Sequence, residues 1–257
     1  MNQNINKLFN YKKKIVLITG SNGQVGKSLV RLFLDLGSIV YGLDISSNTI
    51  KEKNFFYKKI DISNKKKIEV YFKDIVKKNK KIDIIINNAG YSVFSKFNKR
   101  TEKELNKTIN VNLKGPINII NSYFKIHKSN KLKSCNIVNI GSIYGSLSPD
   151  FRVYGKNDNF NSEIYGATKA GVIQLTKYYS VILSKHNINI NCLSPGGIFN
   201  DDKPQEKKFI KKYSSRVPKN RMAKTEDIYT GILFLTSDKS NYVSGQNLLI
   251  DGGLSSW

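Results

Sequence analysis

Residues 15–26 read IVLITGSNGQVG, and this stretch decides the fold. Its four leading apolar residues predict a buried strand, and the pattern over 24–36 predicts a helix directly after it. Gly20, Gly23 and Gly26 lie in the turn, where they permit close approach of the backbone to a ligand. The helix start adds free N–H groups and a positive dipole end. An ordinary glycine-rich turn is the alternative, but a strand before and a helix after it favour a pyrophosphate site.

The rest of the chain alternates between apolar runs and helical patterns. Short apolar runs separated by helices predict parallel strands joined by right-handed crossovers, and hence an α/β fold. Thr101 and Glu104 have the spacing of a capping box, and Thr225 precedes two carboxylates at a later helix start. The apolar runs are 14–19, 39–43, 56–60, 82–86, 135–140, 188–194 and 247–250, and the helical patterns fill 24–36, 65–79, 102–128, 163–185 and 226–237.

The length of 257 residues suits one α/β domain that spans 1–257. Residues 1–13 are predicted to form a polar tail, and the lysine-rich segment 199–220 is predicted to form a mobile flap over the site. No apolar run reaches the ~18 residues of a membrane span. The amino terminus lacks the apolar centre of a signal peptide. These features predict a cytoplasmic protein with no membrane partner.

The chain carries a formal net charge of +24, which could suggest a nucleic-acid partner. Only five of its 43 basic residues are arginine, however, and the lysines are scattered along the chain. Surfaces that read bases or clamp phosphates favour the planar fork of arginine. The pattern therefore favours a solvated lysine surface and no nucleic-acid site, with attraction of anionic substrates as a side effect.

Cysteine and histidine are sparse. Cys135 and Cys192 both lie in apolar runs and are predicted to be buried thiols, not a disulfide or a metal pair. His127 and His186 are isolated from other ligand types along the chain. The sequence therefore predicts no metal site.

Three further polar motifs stand downstream of the glycine-rich turn. The triplet at 88–90 (NAG) and Ser142 each follow an apolar run. Tyr165 and Lys169 are four residues apart and so share one face of the helix predicted over 163–185. There the ammonium can lower the pKa of the phenol and hold a ribose. One such motif is weak evidence alone, whereas four in this order are strong evidence for one site.

Together these motifs resemble the short-chain dehydrogenase/reductase family, and the match runs from about Lys14 to Gly253. The closing segment 242–253, YVSGQNLLIDGG, is among its most specific parts. The resemblance implies a Rossmann-type, doubly wound parallel sheet of seven strands in the order 3-2-1-4-5-6-7, with helices on both faces. It also implies an NAD(P)-dependent oxidoreductase.

The resemblance also implies catalytic roles. Tyr165 is expected to be the general acid in reduction and the base in oxidation, with Lys169 as its electrostatic partner and a ribose ligand. Ser142 is expected to hydrogen-bond the substrate carbonyl or hydroxyl, with a loop cap as the alternative. Asn112 matches the asparagine that supports a proton-relay water. A hydrogen bond at a helix kink is the alternative for Asn112, and both can hold.

Asp44 ends the second apolar run, 18 residues after Gly26. A carboxylate there can accept hydrogen bonds from the ribose hydroxyls and repel a 2′-phosphate, which favours NAD over NADP. A plain turn residue is the alternative. The residues expected to bind the cofactor are Gly20, Asn22, Gly23, Gln24, Val25, Asp44, Asp61, Ile62, Asn88, Ala89, Gly90, Tyr165, Lys169, Pro195, Gly196 and Ile198.

Ser142 and Tyr165 are 23 residues apart, farther than is usual in the single-domain branch of the family. Tyr154 has the usual distance, but Asp158 follows it where lysine is needed and would raise the phenol pKa, so Tyr154 is rejected. The difference predicts an insertion over 148–162 at the substrate mouth. Its aromatic residues and Arg152 suit a sugar ring bearing phosphate or carboxylate. A surface elaboration that packs its own aromatic residues is the alternative.

The glycine spacing in 19–26 and the insertion resemble nucleotide-sugar enzymes and the oxidoreductases of flagellin and surface-glycan modification. The leading hypothesis is therefore hydride transfer between NAD(P) and a sugar-derived alcohol or ketone. A 3-oxoacyl-thioester reductase is the alternative enzyme. A catalytically silent dinucleotide-binding scaffold is the alternative of another class, and the complete catalytic set argues against it.

The family commonly assembles through the long helices predicted here over 102–128 and 163–185. The second helix carries more apolar residues than one core-facing stripe requires, among them Tyr178, Val181 and Ile182. Trp257 is a candidate anchor for a second two-fold contact. These features predict a homotetramer, with a dimer next.

Overall fold

The structure is a computed structural model that describes residues 8–154 and 159–257. Its strands form a seven-stranded parallel sheet in the order β3-β2-β1-β4-β5-β6-β7, which confirms the predicted fold class and strand order. The strands are β1 (Ile15–Thr19), β2 (Ile39–Asp44), β3 (Phe55–Lys59), β4 (Ile84–Asn87), β5 (Cys135–Ile140), β6 (Ile188–Pro195) and β7 (Asn247–Ile250). The α-helices are α1 (Gln24–Asp35), α2 (Lys65–Asn79), α3 (Glu102–Ile109), α4 (Gly115–Ser129), α5 (Glu163–Ser184), α6 (Lys207–Ser214) and α7 (Tyr229–Thr236).

The alternating side chains of β1 divide the core into two layers. Leu17 packs with residues of α2, α4 and α5, whereas its neighbours Val16 and Ile18 pack with residues of α1 and α7. Successive strand side chains point to opposite faces of a sheet, so one strand contributes to both layers. Because helices cover both faces, β1 is buried along its whole length and its sequence is a continuous apolar run.

The single helix predicted over 102–128 is broken in the structure. α3 ends at Ile109, a π-helical turn occupies Asn110–Lys114, and α4 begins at Gly115 with a proline in its first turn. Proline is tolerated in the first turn because its fixed φ angle is helical. The N–H that proline lacks would have no partner within the helix at that position. The capping box predicted at Thr101 and Glu104 is confirmed. The break places Asn112 in the π-helical turn, one layer behind the cleft described below.

Within the segment 1–13, predicted as a polar tail, Tyr11 packs into the core while the other described residues are exposed. Tyr11 is buried, its ring meets the ring of Phe33 edge-on at 5.5 Å, and its hydroxyl donates to the carbonyl of Leu233 in α7. One buried aromatic residue among polar neighbours gives no periodic signal, so the sequence pattern missed it. Residues 1–7 lie outside the described part of the chain.

The start of the last helix also differs from the prediction. A 3₁₀ turn, Thr225–Ile228, precedes α7, and Asp227, not Thr225, provides the cap. The Asp227 carboxylate accepts the N–H of Lys224 at 2.7 Å and pairs with Arg221, which lowers the pKa of Asp227 to about 2.

Cys135 and Cys192 are buried free thiols, as predicted. None of the helices in the described ranges combines the length and the hydropathy needed to span a bilayer. Within those same ranges no cluster of three or more His, Cys, Asp and Glu side chains could hold a metal ion.

Candidate active site

A cleft of about 1100 Å³ opens at the carboxyl ends of the strands, where the strand order reverses between β1 and β4. This is where open α/β sheets bind their ligands. All sixteen residues predicted to bind the cofactor line this cleft, and so does Ser142. Asn112 is the one predicted site residue that does not line it. The structure therefore brings together side chains from seven separate segments of the chain.

The glycines of the turn differ in what they contribute. Gly20 has a positive φ of 66°, and a Cβ there would come within 2.7 Å of the Ala89 Cα. A Cβ at Gly26 would come within 1.9 Å of the Gly20 carbonyl oxygen. At Gly23 the nearest atom to such a Cβ is 3.4 Å away, so the fold itself does not require glycine there. Gly23 begins the approach to α1, where a missing side chain leaves the backbone open to a phosphate.

Asp44 holds the loop after β2 against the glycine-rich turn. Its carboxylate accepts the backbone N–H of Asn22 at 2.9 Å through Oδ2, and the N–H and hydroxyl of Ser46 at 3.0 Å and 2.9 Å through Oδ1. The Asn22 side chain donates in turn to the Ser47 carbonyl at 2.9 Å. A carboxylate offers about four lone-pair positions, so one position on Oδ2 remains for a ribose hydroxyl. The carboxylate is thus fixed and can still accept a hydrogen bond.

Asn88 couples the loop after β4 to the same turn. Its side-chain amide donates to the carbonyls of Thr19 and Gly20 at 3.0 Å and 3.1 Å. The backbone N–H groups of Asn88 and Ala89 donate to the Thr19 hydroxyl at 3.1 Å and 3.0 Å. These four hydrogen bonds fix the loop after β4 against the glycine-rich turn.

Asn112 makes the hydrogen bonds expected of a residue at a helix break. Its Oδ1 accepts the N–H of Tyr91 at 2.7 Å, and its Nδ2 donates to the Tyr91 carbonyl at 2.9 Å and the Thr168 hydroxyl at 3.1 Å. The π-helical turn, the loop after β4 and α5 are joined through this one side chain. Support of a proton-relay water by Asn112 stays a prediction.

Tyr165, Lys169 and Ser142 meet at the middle of the cleft. Both residues on α5 line it, and Ser142 lines it from the end of β5. The Ser142 hydroxyl accepts the N–H of Tyr144 at 3.2 Å, and Ser142 lines the cleft together with Tyr165. The Lys169 Nζ donates to the Ile140 carbonyl at 2.7 Å and lies 5.7 Å from the centroid of the Tyr165 ring.

Burial dominates the acidity of both groups on α5. It raises the pKa of Tyr165, and the neighbouring Ser142 hydroxyl partly offsets the rise. It lowers the pKa of Lys169 to about 8, so the ammonium is still mostly protonated at neutral pH. Burial therefore outweighs the predicted lowering of the Tyr165 pKa by Lys169. A phenol with a raised pKa keeps its proton at neutral pH and can act as a general acid.

The predicted insertion packs its own aromatic residues, as in the alternative interpretation. Tyr154 is buried between the rings of Phe160 and Phe209, at centroid distances of 5.5 Å and 5.4 Å. The expectation that Arg152 binds an anionic substrate is wrong. Its side chain is 76% exposed and is held by the Asp150 carboxylate at 2.8 Å, away from the lining of the cleft. Residues 155–158, including Asp158, lie outside the described part of the chain.

The segment predicted as a flap covers the substrate end of the cleft. Phe209 and Tyr213 are four apart on α6 and both line the cleft from one helix face. The Tyr213 hydroxyl accepts the N–H of Gly197 at 2.6 Å, and Gln24 donates through its side chain to the Phe199 carbonyl. Sequence reasoning missed most residues of this end, although the amphipathic spacing in 209–213 could have indicated two. The missed residues are Ser92, Asn161, Phe209, Tyr213 and Met222.

A second cleft of about 720 Å³ lies beside the first and shares Tyr144 and Asn161 with it. Its walls are mostly apolar, and Phe151 and Phe160 form an edge-to-face pair there at 4.9 Å. The Arg100 side chain is 5% exposed and pairs with Glu163 at the same cleft. Its apolar lining is made by Phe97, Leu147, Pro149, Phe151 and Phe160.

Comparisons with known proteins agree with this geometry. The model of a family described as Enoyl-(Acyl carrier protein) reductase matches residues 26–255. The 3-oxoacyl-[acyl-carrier-protein] reductase FabG of Thermotoga maritima is 34% identical over 94% of this chain and 97% of its own. A short-chain dehydrogenase of Leptospira borgpetersenii, solved with bound NAD+, has a TM-score of 0.88 and 39% identity over 99% of this chain and 97% of its own.

Other relatives are less similar in sequence and carry different names. The NADH-dependent L-xylulose reductase of Ambrosiozyma monospora is 27% identical over 97% of both chains. Post-translational flagellin modification protein A of Campylobacter coli is 28% identical over 94% of this chain and 98% of its own. An ElxO variant solved with NADPH has a TM-score of 0.82 and 28% identity over 95% of this chain and 100% of its own.

Proposed function

The chain belongs to the short-chain dehydrogenase/reductase family of NAD(P)-dependent oxidoreductases, and we propose that it transfers a hydride between NAD(H) and an uncharged, sugar-derived ketone or alcohol. The cradle of the cleft fits a dinucleotide. Gly20 and Gly26 stand where a Cβ would collide with the backbone, and Asp44 keeps an acceptor position for a ribose hydroxyl. When bound, the nicotinamide supplies or accepts the hydride.

The residues of this chain supply the proton and the positioning. In the reducing direction the Tyr165 phenol gives its proton to the carbonyl oxygen that receives negative charge as the hydride arrives. Ser142 holds that oxygen through its hydroxyl, because Ser142 lines the same cleft as Tyr165. The Lys169 ammonium stabilises the phenolate that remains. The oxidising direction runs the same transfers in reverse.

The charge of the cleft lining carries the substrate proposal. Among the described residues that line it, Lys169 is the sole cation, and it belongs to the catalytic centre. The substrate end instead presents hydroxyls, amides and aromatic rings, from Ser92, Asn161, Tyr144, Tyr154 and Tyr213. A phosphate or carboxylate that leaves water needs a cation or free backbone N–H groups such as those at the start of α1, whereas neutral hydroxyls need only such neutral hydrogen bonds. The L-xylulose reductase supports the same substrate class.

A substrate screen tests this proposal. NADH oxidation would be followed with neutral ketoses, with the same ketoses as phosphate esters, and with 3-oxoacyl thioesters. The matching polyols and NAD+ cover the reverse direction. We expect the neutral ketoses to have the highest kcat/KM, and a preference for the phosphate esters would contradict the proposal.

A 3-oxoacyl-thioester reductase is the second candidate. The FabG relative supports it, and so does the second cleft, whose apolar walls continue from the catalytic cleft and could receive an acyl chain. The same screen separates the two candidates, because only a thioester reductase should have a higher kcat/KM for the 3-oxoacyl thioesters than for the ketoses. A role in making glycan precursors, which the flagellin modification protein suggests, is part of the first proposal.

Asp44 is proposed to select NADH over NADPH. Hydrogen bonds to a charged acceptor are worth roughly 1.5–3 kcal/mol, or about ten- to a hundredfold in affinity. We expect Asp44→Ser to lose a factor of that size in NADH affinity and to gain in NADPH affinity, because the repulsion of the 2′-phosphate is removed. Fluorescence titration of both reduced cofactors measures the two dissociation constants.

Asp61→Ser is the matched control for this prediction. Asp61 lines the same cleft and caps its own turn by accepting the N–H of Ser63 at 2.8 Å. It is expected on the adenine side, which both cofactors share, so its replacement should change both affinities by the same factor. Tighter binding of NADPH than of NADH by the unsubstituted protein would show that Asp44 does not select the cofactor.

The exposed apolar face of α5 is proposed to bind a second copy of the chain. Tyr178 is 57% exposed, Val181 76% and Ile182 39%, which is unusual for three apolar residues on one helix. A charge in such an interface should weaken it, so Val181→Glu is expected to lower the mass in light scattering towards 29.2 kDa. Val70→Glu on α2, where the side chain is 58% exposed, is the control and should leave the mass unchanged. A 29.2 kDa species for the unsubstituted protein would refute the assembly.

A further inference from the structure

Five tyrosines line the catalytic cleft, and two of them have no assigned role. The Tyr91 backbone is held by Asn112, and the Tyr91 ring lies 4.1 Å from the Lys107 Nζ. Tyr165 is the general acid, and the Tyr213 hydroxyl is engaged by the N–H of Gly197. Tyr144 and Tyr154 remain. Both line the cleft together with the catalytic phenol.

Tyr144 is held rigidly against the catalytic helix. It lies in the 3₁₀ turn Ile143–Gly145, directly after Ser142, and this turn packs on α5. A Cβ at Gly145 would come within 2.8 Å of the Lys169 backbone carbon, and one at Gly166 within 3.0 Å of the Tyr144 carbonyl oxygen. The two glycines thus allow a contact between backbones that larger residues would prevent. Tyr144 therefore has a fixed position relative to Tyr165.

Tyr154 is held just as firmly from the other side. The residue is 9% exposed, and its ring lies between those of Phe160 and Phe209. Tyr154 lines the cleft together with Tyr144 and Asn161, so its polar neighbours there are neutral. A phenol hydroxyl donates one hydrogen bond and accepts about two. Tyr154 can therefore exchange a hydrogen bond with a ligand hydroxyl.

We infer that Tyr144 and Tyr154 form a hydroxyl pair that binds a second oxygen of the substrate, on the carbon next to the one that exchanges the hydride. This inference rests on the proposed function and narrows it to α-hydroxy ketones and the corresponding vicinal diols. Ser142 and Tyr165 hold the reacting oxygen, and the hydroxyl pair lies beside them in the same cleft. When the substrate carries a methyl group in place of the neighbouring hydroxyl, the two tyrosine hydroxyls lose a hydrogen bond to the substrate.

The test uses hydroxyacetone and 2-butanone, which differ in whether a hydroxyl or a methyl group is attached next to the carbonyl. Reduction of each by NADH gives kcat and KM for the unsubstituted protein, for Tyr154→Phe and for Tyr144→Phe. We expect the unsubstituted protein to prefer hydroxyacetone by about tenfold or more in kcat/KM, since sites built around a substrate hydroxyl discriminate strongly against its absence. Tyr154→Phe should reduce this preference to about twofold, mainly by raising KM for hydroxyacetone.

Tyr242→Phe is the control variant and should keep the full preference, because Tyr242 is fully exposed and lines neither cleft. Because the readout is a ratio of two substrates on one protein, a general loss of folded protein does not change it. Equal kcat/KM of the unsubstituted protein for both ketones would overturn this inference but not the proposed function. An equal loss of kcat/KM for both ketones in Tyr154→Phe would do the same. Activity restricted to 3-oxoacyl thioesters in the substrate screen would overturn the proposed function and the inference together.

Discussion

Replacing Tyr165 by phenylalanine is expected to lower kcat by ~10²–10⁴-fold, the range for loss of a general acid–base group. The change removes the hydroxyl that meets Ser142 in the cleft and leaves the ring in place on α5. NADH affinity and melting temperature should stay close to those of the unsubstituted protein. Steady-state kinetics on the best ketone of the screen, with a fluorescence titration of NADH, measures both parts of the prediction.

Tyr154→Phe tests whether Tyr165 or Tyr154, the two candidates in the sequence, is the general acid. Tyr154 lines the same cleft, but its ring is packed between Phe160 and Phe209. Its replacement should retain most of kcat and act chiefly on KM. An inactive Tyr154→Phe protein beside an active Tyr165→Phe protein would reverse the assignment.

Gly26→Ala is expected to destabilise the protein by about 3 kcal/mol or more, the upper range for overpacking. The new Cβ would lie 1.9 Å from the Gly20 carbonyl oxygen, which is backbone and cannot rotate away. The start of α1 would have to move away from the turn, and with it the N–H groups that face the pyrophosphate. Thermal denaturation should show a Tm lower by ~6–12 °C for a chain of this size, with weak or undetectable NADH binding.

Gly23→Ala is the matched control, three residues earlier in the same turn. Gly23 has a φ of −71°, which any residue can adopt, and the atom nearest its added Cβ is 3.4 Å away. Its Tm should fall by no more than ~2–4 °C, equivalent to about 1 kcal/mol. Equal destabilisation by the two substitutions would mean that the close approach at Gly26 is not what the turn requires.

The nucleotide half of the cleft could be predicted from the sequence because its signals are local. A strand, a turn and a helix start lie within residues 15–26, and Asp44 and the triplet at 88–90 each end a strand that enters the same sheet. Parallel strands bring such ends together, so order along the chain is sufficient to predict proximity. Tyr165 and Lys169 could be paired for the same reason, since helical spacing alone places them on one face.

The substrate half could not be predicted because its residues meet only through tertiary packing. Asn161, Phe209 and Met222 come from three segments with no common period. Arg152 was expected to face the substrate, yet the nearby Asp150 carboxylate holds it at the surface. Tyr11 was missed because a single buried aromatic residue carries no pattern. A helix kink was considered at Asn112, but the full break into two helices around a π-helical turn was not predicted, since residues 102–114 contain neither glycine nor proline.

The hydrogen bond from the Gln24 side chain to the Phe199 carbonyl has a consequence for protein engineering. Gln24 starts the helix that serves the cofactor, whereas Phe199 begins the segment that covers the substrate. Grafting segment 199–220 from a relative, in order to install a new substrate preference, would therefore also disturb the nucleotide half. A functional chimera has to transplant the donor's residue at position 24 together with its flap.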